Sequence, residues 1–234
     1  MVFGRIFLGS LIGALCFPAW SQPMPKRAEA SVLAQLRHGL DAVRHGRFDE
    51  ACGAADLVLL KGAVRISADP GTQSVTREAI RIWGQALNGA VYFELVSPGE
   101  EADISVSSVE RIQKGNRNSI GFSHWRRALY RDGRYNLQAE IDLATNYPSG
   151  SPIDQRGQLH AALHELGHIL GLDDSPRVGD VMGPIDPSRP ICSPQPPEIA
   201  ALRALRSIAE DLREEASNLA QMNLGGYNFD REIG

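Results

Sequence analysis

The sequence predicts an α+β fold, and two kinds of hydrophobic pattern predict it. Apolar residues alternate with polar ones, as in half-buried strands, at residues 63–68, 91–96, 102–106 and 137–144. Apolar residues recur three and four apart, as in amphipathic helices, at residues 28–45, 75–87, 156–170 and 197–219. With 234 residues, 43% hydrophobic and 22% charged, the chain can bury the core of one main domain.

The first 21 residues have the composition of a secretory signal peptide. One basic residue, Arg5, precedes an apolar run from Ile6 to Phe17, and Ala19 and Ser21 are the small residues that signal peptidase prefers. The run is too short to cross a bilayer, and no other stretch is long and apolar enough. We therefore predict cleavage after Ser21 and a secreted, extracellular or periplasmic protein without a membrane span.

Residues 22–62 precede the main domain, which we place at residues 63–234. Pro23 to Lys26 is a short linker, and the segment 28–45 has the helical spacing of Val32, Leu36 and Leu40. The segment is either an N-terminal helical extension or a short propeptide.

The elements of the main domain follow in a fixed order. Residues 63–68 form a first strand, and residues 75–87 form a helix with Trp83 on its apolar side. The remaining predicted elements are strands at 91–96, 102–106, 116–125 and 137–144, a helix at 156–170, a proline-rich loop at 183–197 and a long amphipathic helix at 197–219.

The helix at 156–170 contains the pattern H-E-x-x-H, which is typical of catalytic zinc sites. Residues four apart lie one above the other on a helix, so His164 and His168 can bind one ion from one face. Glu165 stands beside the first ligand, where it can take a proton from a metal-activated water.

The residues after this helix complete the predicted site. Gly171 can end the helix in the left-handed conformation, which turns the chain so that Asp174 returns as a third ligand. Asp173 competes for this role, although its spacing is one residue short. Three protein ligands leave one position open, and an open position distinguishes a catalytic zinc ion from a structural one.

The stretch HELGHILGLDDS, followed by VMGP, resembles the matrixin branch of the metzincin zinc metalloproteases. The resemblance implies a metzincin-like twisted mixed β-sheet with the active-site helix beneath it and a long C-terminal helix. It implies that Met182 supports the site from below without binding the metal. Matrixins have a histidine where this chain has Asp174, and an aspartate third ligand is similar to that of snapalysin-like enzymes.

The resemblance also bears on further metal ions. Matrixins bind a second, structural zinc, for which this chain offers only His124 and Asp142, and their calcium loops are not recognisable here. His160 lies one turn before His164 and is expected to be packed or solvated. We therefore expect one catalytic zinc ion.

The expected function is that of a secreted zinc endopeptidase with Glu165 as general base. The resemblance implies that a protein or peptide substrate lies along an edge strand near residues 120–124. Basic clusters are diluted by acidic residues and the net charge is −4, so nucleic acid is not an expected partner. We also expect the protein to be a monomer. The alternatives are a zinc amidase that acts on cell-wall peptides and a non-catalytic zinc-containing binding module.

Two cysteines remain after the signal peptide. In an oxidising compartment the simplest outcome is a disulfide between Cys52 and Cys192. Alternatively, Cys52-Gly53-Ala54-Ala55-Asp56 resembles the cysteine switch of matrixins, in which a propeptide thiolate occupies the fourth zinc position. Free thiols are the third possibility.

Overall fold

The computed structural model describes residues 23–112 and 119–227, so the predicted signal peptide lies outside the described residues. Five helices and five strands follow one another along this part of the chain. In order, they are α1 (Ala30–Arg44), α2 (Phe48–Leu59), β1 (Ala63–Ala68), α3 (Gln73–Ala86), β2 (Tyr92–Val96), β3 (Ile104–Val109), β4 (Gly121–Leu129), β5 (Tyr135–Ala144), α4 (Gln155–Leu170) and α5 (Pro196–Tyr227).

The strands form one mixed sheet in the order β2-β1-β3-β5-β4. The first four strands of this order run parallel, and β4 pairs antiparallel to β5 at the edge. The predicted α+β class and mixed sheet are therefore confirmed. Of the strand predicted at 116–125, residues 116–118 lie outside the described residues. The strand that the structure describes begins at Gly121 and continues through Arg126 and Arg127 to Leu129, where basic side chains obscure its alternation.

Helices α3 and α4 pack against each other next to the sheet. The side chain of Trp83 is fully buried, and its indole N–H donates a hydrogen bond of 3.0 Å to the carbonyl of Leu163. A buried tryptophan is stabilised when its N–H has a partner, so this bond fixes α3 against the middle of α4. The helix that carries the H-E-x-x-H pattern is thereby held in place one residue before His164.

Helices α1, α2 and α5 form a second helical layer, and their apolar side chains belong to the same core as the sheet. Helix α2 was not expected from the sequence, because its small residues leave little amphipathic contrast. Leu36 of α1, Leu57 and Leu59 of α2 and Leu212 of α5 are each at most 1% exposed. Residues 23–62 therefore complete the core, whereas a helix resting on the surface would leave these side chains exposed.

Both cysteines are free thiols in this structure, so the expected disulfide between Cys52 and Cys192 is not formed here and stays a prediction. They lie in separate environments. The Cys52 sulfur is 3.5 Å from the Ser217 hydroxyl on α5, and the Cys192 sulfur is 3.7 Å from the Arg156 carbonyl at the start of α4. The thiol of Cys52 also faces α5 rather than the histidines of α4, so the arrangement of a cysteine switch is not present.

None of the helices in the described part of the chain combines the length and the apolar character that a bilayer crossing requires.

Candidate metal centre

Helix α4 is capped at both ends. At the start, the Asp154 carboxylate accepts a hydrogen bond of 2.8 Å from the backbone N–H of Gly157, which satisfies one of the free donors of the first turn. At the end, Gly171 has φ 113°, a left-handed conformation that residues with a β-carbon avoid. The chain therefore turns back after Leu170 and passes close to the face of α4 that carries the two histidines.

Three side chains come together at this turn. The Nε2 atoms of His164 and His168 lie 3.3 and 3.5 Å from the Oδ1 atom of Asp174, and one possible ligand atom from each residue lies within 4.8 Å of the others. The two imidazoles are 13% and 15% exposed, and the Asp174 side chain is 61% exposed. Within residues 23–112 and 119–227, no other group of three histidine, cysteine or acidic side chains is close enough to hold a metal ion.

Both imidazoles are oriented by backbone carbonyls. The Nδ1 atom of His164 lies 2.9 Å from the Val181 carbonyl, and that of His168 lies 3.0 Å from the Leu172 carbonyl. A carbonyl can only accept, so each Nδ1 carries a proton, and Nε2 is the nitrogen that faces Asp174 and can offer a lone pair when the ring is neutral. Two imidazole nitrogens and one carboxylate oxygen are a donor set that zinc prefers, so these residues fit the ion.

Electrostatics at the site favours positive charge. Burial lowers the pKa of His164, but the hydrogen bond to Asp174 and the nearby charge of Glu165 outweigh it, so this pKa is raised above its ordinary value. The same acidic groups that would hold a proton on His164 would attract a metal cation. Protons and metal therefore compete for this nitrogen.

The carboxylate of Glu165 is buried beside the site and has one side-chain partner. It is 5% exposed, and the hydroxyl of Ser123 on β4 donates a hydrogen bond of 2.5 Å to its Oε2 atom. Gly121, two residues earlier, makes room for it: a β-carbon there would lie 2.6 Å from Oε1. The edge strand thus fixes the position of this carboxylate from the side opposite α4.

Met182 lies beneath the histidines. A β-carbon at Gly167, which is between the histidines in sequence, would collide with the Met182 sulfur, so the two residues are in close contact. Met182 is 1% exposed, and its backbone N–H donates a hydrogen bond of 2.8 Å to Glu198 at the start of α5. Glu198 is itself 1% exposed and also accepts a hydrogen bond from the backbone of Gln195. The methionine turn is therefore anchored to the C-terminal helix by a buried carboxylate.

His160 connects α4 to two parts of the following loop. Its ring is fully buried, its Nε2 lies 3.2 Å from the Val181 carbonyl, and its Nδ1 accepts a hydrogen bond of 3.1 Å from Ile191 N–H. Burial lowers the pKa of His160 to about 4, so the ring is neutral at physiological pH. The Val181 carbonyl thus bonds both His160 and His164, which makes His160 a packed histidine that supports the orientation of His164.

Two side chains of β4 contact the end of α4. The Trp125 ring stacks on the His168 ring with centroids 5.9 Å apart and an interplanar angle of 19°. Arg127 donates a hydrogen bond of 2.6 Å to the carbonyl of Ile169 in the last turn, where the helix dipole favours a cation. Burial lowers its pKa to about 10, so it keeps its charge at neutral pH.

A cleft of about 920 Å³ opens beside His164 and Asp174. Its walls come from the segment before β4, the segment after β5 and the proline-rich loop; the lining includes Ser119, Ile120, Tyr147, Pro148, Ser149, Ser151, Gly183, Pro184, Ile185 and Pro187. Apart from the phenol of Tyr147, only His164 and Asp174 carry ionisable side chains among the described residues that line the cleft. The proline-rich loop thus forms part of the cleft wall.

The structure brings together all the residues that the sequence singled out around α4, namely His164, Glu165, His168, Gly171, Asp174 and Met182. Asp173 is different: its carboxylate accepts a hydrogen bond from the backbone N–H of Asp174 and is not part of the three-residue group. His124 and Asp142 lie on neighbouring strands but not in direct register, since His124 pairs with Glu140.

Sequence reasoning missed Ser123 and Glu198. A serine in a strand carries no signal of its own for such a contact. Glu198 had a weak one, since acidic residues are common in the first turn of a helix.

Comparison with protein families identifies one match. The family model described as Matrixin, of the peptidase M10 type, matches residues 64–191, more than half of the chain, from β1 through the metal centre to the proline-rich loop. A comparison with curated proteins gave no match.

Proposed function

The chain belongs to the matrixin family of zinc metalloproteases, and we propose on this basis that it is a secreted zinc endopeptidase in which Asp174 completes the metal site. The observation that carries the proposal is the joint geometry of the three ligand atoms within 4.8 Å and a buried carboxylate, Glu165, beside them. Export rests on the signal-peptide composition of residues 1–21. Sequencing of the exported protein from its N-terminus should therefore begin at Gln22.

The assignment of the ligand atoms rests on which nitrogen of each histidine ring donates a hydrogen bond. Because His164 and His168 each donate a hydrogen bond from Nδ1 to a carbonyl, their Nε2 atoms are the ones available to bind a cation. The carboxylate of Asp174 supplies the third donor and compensates part of the ion's charge. When bound, zinc supplies Lewis-acid polarisation of the scissile carbonyl and lowers the pKa of a water molecule.

Glu165 is the residue that moves the proton. Its carboxylate can accept a proton from the attacking water and pass it to the leaving amine, which is general base followed by general acid catalysis. Ser123 holds one oxygen of this carboxylate at 2.5 Å and thereby leaves the other, Oε1, for the reacting water. Burial at 5% exposure excludes competing solvent from the carboxylate.

The proposed substrate is a protein or peptide in extended conformation. Strand β4 is at the edge of the sheet, so one side of its backbone can pair with an added strand. Such a strand would run past Ser123, next to Glu165, and its neighbouring side chain would enter the cleft beside His164. Since Ile120, Pro184, Ile185 and Pro187 line that cleft, an uncharged apolar side chain is the preferred occupant.

The first experiment replaces the general base. In Glu165→Gln the zinc content should equal that of the wild type, whereas hydrolysis of casein or of a quenched peptide library should fall at least about 10³-fold, within the range of general acid–base catalysis. Glu214→Gln, at an exposed position of α5, is the matched control and should retain activity. Equal turnover by wild type and Glu165→Gln would refute the assigned role. A zinc-loaded wild type without activity on any peptide would instead favour the binding module, and cleavage of cell-wall peptides alone would favour the amidase.

The second experiment compares the two adjacent aspartates. Asp174→Asn removes the ligand charge, so the zinc affinity, measured by competition with a chelator, should fall at least about tenfold. Asp173→Asn keeps the oxygen that accepts the Asp174 N–H and should bind zinc nearly as the wild type does. The reverse ranking of the two variants would transfer the ligand role to Asp173.

A further inference from the structure

The segment just before α1 pairs with the turn that leads to the third ligand. Ala28 and Leu172 form an antiparallel bridge. On either side of it, the Glu29 N–H donates to the Gly171 carbonyl at 2.8 Å, and the Asp173 N–H donates to the Arg27 carbonyl at 2.9 Å. We name residues 27–29 the strap. It is hydrogen-bonded to the backbone immediately before Asp174.

The side chain of Arg27 is linked through Asp180 to Ser175, the residue that follows Asp174. Its guanidinium donates a hydrogen bond of 2.8 Å to Asp180, which is 3% exposed. Asp180 also accepts a hydrogen bond of 2.6 Å from the hydroxyl of Ser175, and the Ser175 N–H donates to the Met182 carbonyl at 2.7 Å. Arg27 therefore acts on both neighbours of Asp174. The backbone carbonyl of Arg27 binds Asp173, and its side chain acts on Ser175 through Asp180.

The strap is held in place because it leads directly into α1 and α2, two helices whose apolar faces are buried. The Glu29 carboxylate caps α1 by accepting the backbone N–H of Ser31. One turn later, Val32 is 1% exposed and lies against Gly171, since a β-carbon on this glycine would be 3.3 Å from a Val32 methyl group. Helix α2 continues the attachment with Leu57 and Leu59 in the core. Removal of residues 23–62 would expose the apolar faces that these helices cover.

We propose that residues 23–62 are a permanent part of the active enzyme rather than a propeptide, and that the strap, through Arg27, positions Asp174 for the metal. The proposal rests on the proposed function in that Asp174 is taken as a zinc ligand. It makes Arg27 a positioning residue: Arg27 contacts neither the ion nor the substrate and acts through the backbone on both sides of Asp174.

The first test measures zinc binding without reference to proteolysis. In the full-length mature protein, Arg27→Ala should lower the zinc affinity, measured by chelator competition, at least about fivefold. Arg27→Lys, which keeps a cation near Asp180, should recover part of the loss. Arg81→Ala is the control, because Arg81 makes an exposed ion pair with Glu78 on α3, and its zinc affinity should equal that of the wild type. Zinc affinity in Arg27→Ala within twofold of the wild type would overturn the positioning role.

A second variant covers the case in which Arg27→Ala does not fold. Asp180→Asn retains the side-chain volume and an acceptor for Ser175 but weakens the ion pair, so it should also lower zinc affinity with an unchanged far-ultraviolet circular dichroism spectrum. If Asp180→Asn folds and binds zinc as the wild type does, the proposal fails. If the wild-type protein cleaves no peptide while these variants still lose zinc affinity, the strap stands and the endopeptidase assignment falls.

The last test concerns processing. The zinc-loaded, proteolytically active fraction of the exported protein should have an intact mass that includes residues 23–62. An active species that begins after residue 62 would overturn the claim that the segment is permanent.

Discussion

Replacement of Gly121 by alanine should displace the general base without disturbing the metal ligands. The added β-carbon would lie 2.6 Å from Oε1 and 3.0 Å from Cγ of Glu165, whereas ordinary contacts begin near 3.4 Å. The carboxylate must therefore retreat by about 0.8 Å, the difference between 3.4 and 2.6 Å. It cannot do so freely, because it is buried and hydrogen-bonded to Ser123.

The displacement sets the expected magnitude. A misplacement of about 1 Å at a reacting group can cost about 10²-fold in rate, so kcat of Gly121→Ala should fall about 10²-fold, or about 2.7 kcal/mol in activation free energy. Zinc affinity should remain within about twofold of the wild type, because the three atoms nearest to the added β-carbon all belong to Glu165 and none to a proposed ligand. The loss should therefore appear in kcat, with KM little changed, since the peptide-binding cleft is not altered.

The assay is steady-state hydrolysis of one fluorogenic peptide, with zinc content measured on the same samples. Gly84→Ala is the matched control: nothing lies within 4 Å of its added β-carbon, and an alanine inside α3 should stabilise the fold by about 0.5–1 kcal/mol without changing kcat. A Gly121→Ala enzyme with wild-type kcat would refute the assignment of Glu165 as a base held in place by β4. A loss of bound zinc in that variant would show that the strand acts on the ligands instead.

Two further predictions concern the support beneath the ligands. His160 has a pKa of about 4 in the folded protein and about 6.5 when unfolded, so the unfolded state takes up the proton first; the resulting stability, about 3 kcal/mol, is complete above pH 6.5 and is lost as the pH falls toward 4. As the pH falls over this range, the free energy of unfolding measured in urea should therefore decrease more steeply for the wild type than for His160→Gln. Parallel pH profiles of this free energy for the two proteins would contradict the buried neutral ring. Gly167→Ala should force a β-carbon against the Met182 sulfur and lower the free energy of unfolding by about 1–3 kcal/mol, and an unchanged urea midpoint would argue against this contact.

The helices and strands that were predicted well from the sequence are those whose own residues show a clear periodicity of apolar side chains. Helix α4 was expected at 156–170 and spans Gln155–Leu170, and β1 was expected and found at 63–68. The other strongly periodic elements were also placed to within a few residues, except that α5 was predicted at 197–219 and continues to Tyr227. Helix α2 was not predicted because it is rich in small side chains, which leave little contrast between an apolar and a polar face.

Contacts between remote segments could not be predicted in the same way. The hydrogen bonds of the strap are mostly between backbone groups, which every residue type can make, so no particular amino acid marks them. Arg27 and Asp180 are 153 positions apart in the sequence, so no local pattern connects them. The contact of Ser123 with Glu165 likewise depends on which residue of β4 comes to lie opposite α4, and only the folded register decides that.

One loop sets the geometry of all three proposed ligands. The Leu172 carbonyl orients His168, the Val181 carbonyl orients His164, and Asp174 lies between these two residues in sequence. The two histidines on α4 are therefore not a finished site by themselves, since each ring could rotate without its carbonyl partner. This dependence explains in physical terms why the residues after the H-E-x-x-H pattern were more informative than the pattern alone. It also explains why a segment far away in the sequence, which holds this loop at Gly171, Asp173 and Asp180, can affect how tightly the metal is bound.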